Sequence, residues 1–301
     1  MVTTEEIYKN IKEVSENSKQ KPTVAGMLKH IGLSKSGYYR HKSKGLSKSK
    51  ERQLKIKDLI MEIWEESQHL YGAPKITAKL RKMGIQISER TVGKYMKELK
   101  IRAKYCKPFT VTTRDSNLNN KLKNILDEQF NPEAPDTIWC IDTTYIPTKE
   151  GFVYLTSIMD LFSRRIISWD LSTTLETTNI ISLINKVKAT RKSNPKIIHS
   201  DRGSQFTSKE YCEITAGITR SYSKKAYPWD NACIESFHAI IKRKCLNEYN
   251  ISSYNEAGRL VFSYIDGFYN TVRIHSHCGY ISPLEFEQTY FDKVQKVNKA
   301  A

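Results

Sequence analysis

No two cysteines in this chain stand at C-x-x-C spacing, and none of the six, Cys106, Cys140, Cys212, Cys233, Cys245 and Cys278, has histidine partners at zinc-finger spacing. That excludes a zinc finger or ribbon built on paired cysteines and fits reduced thiols in a cytosolic compartment. No apolar run approaches the roughly 18 residues of a membrane span. The stretch MVTTEEIYKNIKEV carries acids where a signal peptide has its apolar segment. Acidic residues are in deficit: 32 Asp and Glu face 49 Lys and Arg, for a formal net charge of +17 and a pI near 9.5. A field of that sign concentrates polyanions. With no membrane segment in the sequence, nucleic acid is the expected partner, and a merely solubilising basic surface is the alternative. Core-forming residues are plentiful, at 39% hydrophobic and 10% aromatic, enough for about two domains.

Helical spacing fills the amino-terminal third. Ile7, Ile11 and Val14 recur with that period, Pro22 ends the helix, and TVAGMLKHIGLSKSGYYRHK reads as helix, turn at Gly32, and a second helix capped by Ser34. This helix-turn-helix-like module (1–48) carries Lys35, Arg40, His41 and Lys42 beside Tyr38 and Tyr39; an ordinary helical hairpin is the plain alternative. A second module (49–105) repeats the plan. LKIKDLIMEIWEES keeps Leu54, Ile56, Leu59, Ile60 and Ile63 on one stripe, a helix with Ile76 and Leu80 meets Gly84, and Ser88 caps a helix that buries Val92, Tyr95, Met96 and Leu99. Arg90 and Lys94 of that last helix join Lys35 and Arg40 as expected DNA contacts, since two basic hairpins can follow a longer site than one. Residues 106–133 turn polar and read as a linker, with TVTTRDSNLNNK inside it and Pro108, Pro132 and Pro135 as punctuation.

The character then changes. DTIWCIDTTYIP, FVYLTSIMDLF and RRIISWDLS read as a meander of three strands, followed by a helix with Ile180, Leu183, Ile184 and Val187, the strand KIIHS, and a helix from Ser208. Strands followed by helix, strand and helix predict a mixed α/β sheet with helices on its faces, spanning 134–290 with a C-terminal helical extension before a tail at 291–301. Within it, Asp142 interrupts an apolar run, where a bare carboxylate is costly to bury. Asp201 terminates the strand of IIHSDRGSQF, and Glu235 borders the buried stripe Ile234, Phe237, Ile241 and Cys245 of a helix opened by Asp230 or Asn231, with Lys242 on the same face. Three converging carboxylates can hold a pair of Mg²⁺ ions, hard cations that take oxygen ligands, and such a pair serves in-line phosphoryl transfer. Three unrelated acids are the plain alternative. His199, Ser200 and Asp201 look like triad letters, but along a strand Ser200 faces away from the other two. Asp160 and Asp170 fall near strand ends or turns and read as structural.

WCIDTTYI, HSDRGSQFTS and DNACIESF, in that order, with FYNTVRIHSHCGYISPLEF near the end, resemble the OrfB-type catalytic subunit of the IS-three family of insertion-sequence transposases; HIGLSKSGYYRHK and YGAPKITAKLRKMGI are similar to that family's amino-terminal helix-turn-helix segments. The resemblance implies a ribonuclease H-like catalytic core with a retroviral-integrase-type DDE triad at Asp142, Asp201 and Glu235. It implies two Mg²⁺ ions, replaceable by Mn²⁺, with Asp142 bridging them, and Lys242 on the DNA end. It further implies double-stranded DNA as element end and target, an OrfA partner protein or frameshift fusion, a homo-oligomer on DNA, and a bacterial cytoplasmic setting at the nucleoid. Arg273, followed by His275 and His277 in a basic loop, is read from the residues as a phosphate contact, with a solvated loop as the alternative. The pattern departs at two points. Asp201 and Glu235 are separated by 33 residues, two fewer than is usual, and Ala226 stands where glycine is common. Two residues lost from a helix rotate the succeeding chain by roughly 200°, unless the helix ends early and a loop takes up the difference. A catalytically decayed, sequence-specific DNA-binding protein is the alternative function, and a ribonuclease H-type nuclease without strand transfer a third.

Overall fold

The two stretches of helical spacing become two small three-helix modules in the computed structural model, which describes residues 4–17, 23–43, 48–104, 122–224 and 228–300. Pro22, Cys106, Pro108, the polar stretch 110–121, Ala226 and the side chain of Lys42 lie outside the described residues. In the first module α1 (Thr4–Asn17), α2 (Val24–Ile31) and α3 (Lys35–Ser43) meet through Tyr8, Ile11, Leu28 and Tyr38. Thr23 Oγ1 accepts from the Gly26 N–H (3.3 Å) and Ser34 Oγ from the Gly37 N–H (3.1 Å), each satisfying a donor that the start of a helix leaves free.

The second module is better filled. Helices α4 (Lys48–Glu66), α5 (Ala73–Lys82) and α6 (Glu89–Glu98) close around Ile56, Ile60, Ile63, Tyr71, Ile76, Leu80, Val92 and Met96. Gly84, at φ +82, makes the left-handed turn between α5 and α6 that a side chain would strain. Ser88 Oγ accepts from the Thr91 N–H (3.2 Å). Tyr95 and Leu99 are only partly buried, and Leu54 is exposed. One further buried residue of this core, Ile274, arrives from the other end of the chain.

The five-stranded sheet has the order β3-β2-β1-β4-β5. Strands β1 (Ile138–Thr148), β2 (Gly151–Asp160) and β3 (Ile166–Ser172) form the expected antiparallel meander. Helix α7 (Thr177–Arg191) leads to β4 (Ile197–Ser200), parallel to β1, and α8 (Ser204–Thr207) and α9 (Lys209–Ile214) lead to β5 (Thr219–Tyr222), parallel to β4. Strand alternation divides β1 between two cores. Ile138, Cys140 and Ile146 face α10 (Ala232–Lys244) and α11 (Tyr254–Tyr264), while Trp139 and Ile141 face α7. Burial on both faces explains the nearly continuous apolar run. The described end of the expected linker, 122–133, packs on the core: Leu126 is 1% exposed in the α10 cluster, and the N–H groups of Ile125 and Leu126 both donate to Ser221 Oγ at 2.9 Å.

Helix α12 (Pro283–Ala300) is tied down by charge. Glu287, 3% exposed, accepts two bonds from Arg191 (2.5 and 3.0 Å), one from Arg165 (2.8 Å) and one from Ser163 Oγ (3.0 Å), and Arg191 Nε also donates to Asp136 (2.9 Å). Every lone pair of a buried carboxylate is thereby engaged, the condition under which a buried ion pair holds. Among the described residues between Asp201 and Glu235 no helix is long before α10: α9 is 6 residues, Thr215 Oγ1 donates to the Tyr211 carbonyl at its end (2.6 Å), and Gly217 (φ +82) turns the chain into β5.

Candidate active site

The register of the sheet brings the two aspartates level. Cys140 of β1 pairs with His199 of β4, so continuing two residues along parallel strands sets Asp142, midway along β1, beside Asp201 just past the carboxyl end of β4. Asp142 shares a face with Cys140, the face that α10 covers, and lies opposite Ser157 of β2. Asp201 follows β4 directly, and its Oδ1 accepts from the Gly203 N–H at 2.8 Å. Glu235 enters from the first turn of α10. Asp230 and Asn231 do not cap that helix through their side chains: Pro228–Asn231 forms a 3₁₀ turn, Asp230 accepts instead from the Lys224 N–H (2.6 Å), and the buried amide of Asn231 makes no hydrogen bond.

The three carboxylates repel one another. Burial first, and the Asp142 charge second, push Asp201 up to about 6. Burial, then Asp142, then Asp201 push Glu235 up to about 7. Burial and like charges within reach each raise a carboxylate, and here burial is the larger cause. Lys242, two turns along α10 from Glu235, is half-buried; burial lowers its pKa while the Asp142 charge opposes that shift. Its Nζ lies 4.1 Å from the centre of the Tyr145 ring. Tyr145 and Phe152, 57% and 56% exposed, meet edge to face at 5.5 Å beside it.

His238 is a partner that helical spacing alone did not single out. It lies 4% exposed one turn beyond Glu235, its Nδ1 is 3.3 Å from Asp142 Oδ2, and its Nε2 is 3.2 Å from Ser157 Oγ. One imidazole tautomer satisfies both contacts, Nδ1–H donating to the carboxylate and Nε2 accepting the serine hydroxyl. The histidine thus fixes one Asp142 oxygen and leaves Oδ1 turned to the Thr143 N–H (2.8 Å). The signal for it was available only with the strand pairing in hand, because Asp142 and Ser157 are register partners.

Carboxylates are the oxygen donors that a hard cation takes, while among the described residues no group of three His, Cys, Asp or Glu stands close enough together to hold a metal ion. The triad-like letters of β4 do other work. Buried His199 is held by Ser221 Oγ (2.9 Å) and Ser223 Oγ (3.1 Å), burial lowers it to about 4, and Ser200 Oγ donates to the Asp201 carbonyl. Asp160 caps a turn, accepting from Asp136, Phe162 and Ser163 N–H groups.

Of the expected DNA contacts, only Lys242 lies with the acids. Lys35 and Arg40 are exposed on α3, and Arg90 and Lys94 on α6, where Lys94 lies 3.9 Å from Glu98. Arg273 is half-buried with its guanidinium 5.5 Å from the Tyr269 ring. Among the described residues no helix is long and apolar enough to cross a membrane.

Three matches to known families share this division of the chain. Residues 132–228 and 216–283 match two integrase core domain families, and residues 50–109 match an HTH-like domain. The chain is 34% identical over 243 residues, 79% of its length and 95% of the relative's, to the transposase for insertion sequence element IS904 of Lactococcus lactis subsp. lactis (strain IL1403). It is 33% identical over 271 residues, 88% of its length and 98% of the other's, to an uncharacterized 31 kDa protein of insertion element IS600 from Shigella sonnei. To transposase InsF for insertion sequence IS3A of Escherichia coli (strain K12) it is 30% identical over 271 residues, 88% of its length and 94% of that protein's.

Proposed function

The chain belongs to the IS3 family of insertion-sequence transposases, and from that premise we propose that it cuts and joins DNA at element ends with Asp142, Asp201 and Glu235 as its catalytic carboxylates. The observation that supports this assignment is the strand register that sets Asp142 beside Asp201, with Glu235 in the first turn of α10 within electrostatic reach of both. The same three residues would hold Mg²⁺, two ions in our reading, or Mn²⁺ in its place. When bound, the metal activates the attacking oxygen and stabilises the leaving one at a phosphodiester.

The chain's own groups prepare that site. His238 fixes the Asp142 carboxylate, and the Gly203 N–H fixes that of Asp201. Lys242, its ammonium over the Tyr145 ring, steadies the phosphate backbone of the DNA end. A water oxygen attacks phosphorus at the element end and loses a proton while the P–O bond to the 3′ oxygen breaks and that oxygen takes up a proton; the resulting 3′-hydroxyl then attacks a second phosphodiester, forming a new P–O bond as that linkage's own 3′ oxygen leaves as a hydroxyl. Lys35, Arg40, Arg90, Lys94 and Arg273 hold backbone phosphates, so binding falls steeply with salt.

We read residues 1–48 and 49–105 as the end-gripping modules and 134–290 as the core. A homo-oligomer on DNA, an OrfA-type partner and a cytoplasmic location at the nucleoid complete the proposal. The test is strand joining with duplexes carrying the element ends, with and without added OrfA. Joined product in Mg²⁺, lost in Asp201→Asn, is the expected result; binding with no joining in any condition would make the chain a DNA-binding protein only.

A further inference from the structure

The outer end of the hairpin formed by β1 and β2 is finished on one face and bare on the other. Ile146 and Val153, register partners, are 1% and 3% exposed in the core shared with α10 and α11. Alternation turns Tyr145 and Phe152 to the opposite face, where they are diagonal neighbours, Tyr145 lying opposite Tyr154 and Phe152 opposite Pro147. Helix α7 covers that face at Ile141 and Ile158, but the two rings are more than half exposed. The outward face of a hairpin ordinarily carries polar side chains. Two large rings held edge to face on it make a platform.

The platform adjoins the acids along the strand. Three residues at about 3.3 Å each place Tyr145 about 10 Å from Asp142 on β1, the length of about three stacked nucleotides of one strand. Strand β4 pairs with β1 only from Ile138 to Cys140, so beyond Cys140 β1 has β2 as its one ladder partner among the described residues. Lys242 comes from α10, on the face of Asp142, yet its Nζ stands over the Tyr145 ring. Its ammonium thus links the two faces at the side of β1 that β2 does not occupy.

Two exposed rings alone fit any apolar surface, but an ammonium held beside them is costly to bury against one. A nucleotide meets both demands, with a base for the rings and a phosphate for the cation. Within a duplex the faces of a base are covered by its neighbours, so an unpaired base is the one that reaches such a platform. We propose that Tyr145 and Phe152 hold an unpaired nucleobase of the DNA end, within about three nucleotides of the phosphate that is cut, while Lys242 holds a phosphate of the same strand. The proposal rests on the transposase reading for the cut, and on the rings and the cation for the ligand. Its consequence is that the end of the element opens before it is cut: one strand leaves its complement and crosses the free side of β1 on the way to the acids.

The test uses the full chain with duplexes carrying the element end, either fully paired or mismatched over the last base pairs before the cut, with 5-iododeoxyuridine placed in that stretch. Under near-ultraviolet light this base cross-links to an aromatic side chain stacked on it, so binding is read without any joining. Irradiated without divalent cation, wild type should cross-link through Tyr145 or Phe152, located by peptide mass spectrometry, and the double variant Tyr145→Ala, Phe152→Ala should not. In Mg²⁺, each single alanine variant should slow joining of the paired end by about tenfold, the worth of one stacked base, and should come within about threefold of wild type on the mismatched end, where the opening is already done. Tyr145→Phe, which keeps the ring, and Phe262→Ala, which removes an exposed ring of α11, should match wild type on both ends. Should one alanine variant fail to fold, the other decides. A purely structural role would slow both ends alike, and that result, like cross-links that bypass both rings, overturns the proposal. A variant that loses oligomeric mass in light scattering, with both ends slowed equally, would assign the rings to contact between copies and overturn it as well. If wild type cross-links through the rings but never joins strands, the transposase reading fails and the nucleotide platform stands.

Discussion

The acids of the sheet and the ion pairs under α12 are opposite solutions to one problem. The first brings charges of one sign together in a half-buried place, from β1, the end of β4 and the start of α10. The second shows what a finished arrangement looks like: Glu287 is met by Arg191, Arg165 and Ser163. The difference teaches where the free chain is complete and where it waits. Paired charge holds α12 in place; the gathered carboxylates are complementary to a cation.

The comparison breaks most visibly if the acids are dispensable. Asp142→Asn or Asp201→Asn should lower strand joining by about 10³-fold or more while duplex binding, measured by gel shift, stays within about twofold. Glu287→Ala should act on stability instead, lowering the unfolding free energy by about 3 kcal/mol in denaturant titration, because it removes the buried carboxylate that Arg191 and Arg165 share.

His238→Ala should slow joining by about 10–100-fold with binding intact, the range found for groups that orient metal ligands. His238→Asn, which keeps a donor in the place of Nδ1, should recover part of that loss. The smallest effect concerns pH. Glu235 binds its proton more tightly folded, near 7, than at the ordinary glutamate value of 4.5, so its protonated form favours the fold. That contribution is present below 4.5 and lost as pH rises through about 7. Without divalent cation, Glu235→Gln should therefore melt higher than wild type at pH 8 and equal to it at pH 4; Mg²⁺ should close the gap at pH 8. An unchanged melting temperature at pH 8 would show that the acids do not oppose one another.

Much of this could be read along the chain, because alternation and helical period are local. Asp142 stands out against Ile141 and the apolar residues before it, Asp201 against Ile197 and Ile198, and the caps Ser34 and Ser88 occupy their expected places. The features that stayed hidden depend on pairing across the fold. Strand β5, TRSY, has too little apolar character to announce itself, yet it is the parallel neighbour of β4. Leu126 sits in a polar stretch and is anchored by Ser221, nearly a hundred residues on. His238 acquires its meaning only when Asp142 and Ser157 are register partners. Tyr145, within the strand DTIWCIDTTYIP, proves to be exposed under Lys242.

Ile274 carries one more implication, for the order of events during synthesis. Because it completes the interior of residues 48–104, that module is finished only after the ribosome has passed codon 274. A polypeptide terminated early would emerge with an unsealed apolar surface around Tyr71 and Ile76 and without its full hold on DNA, so truncated products would be poor competitors for the element's ends.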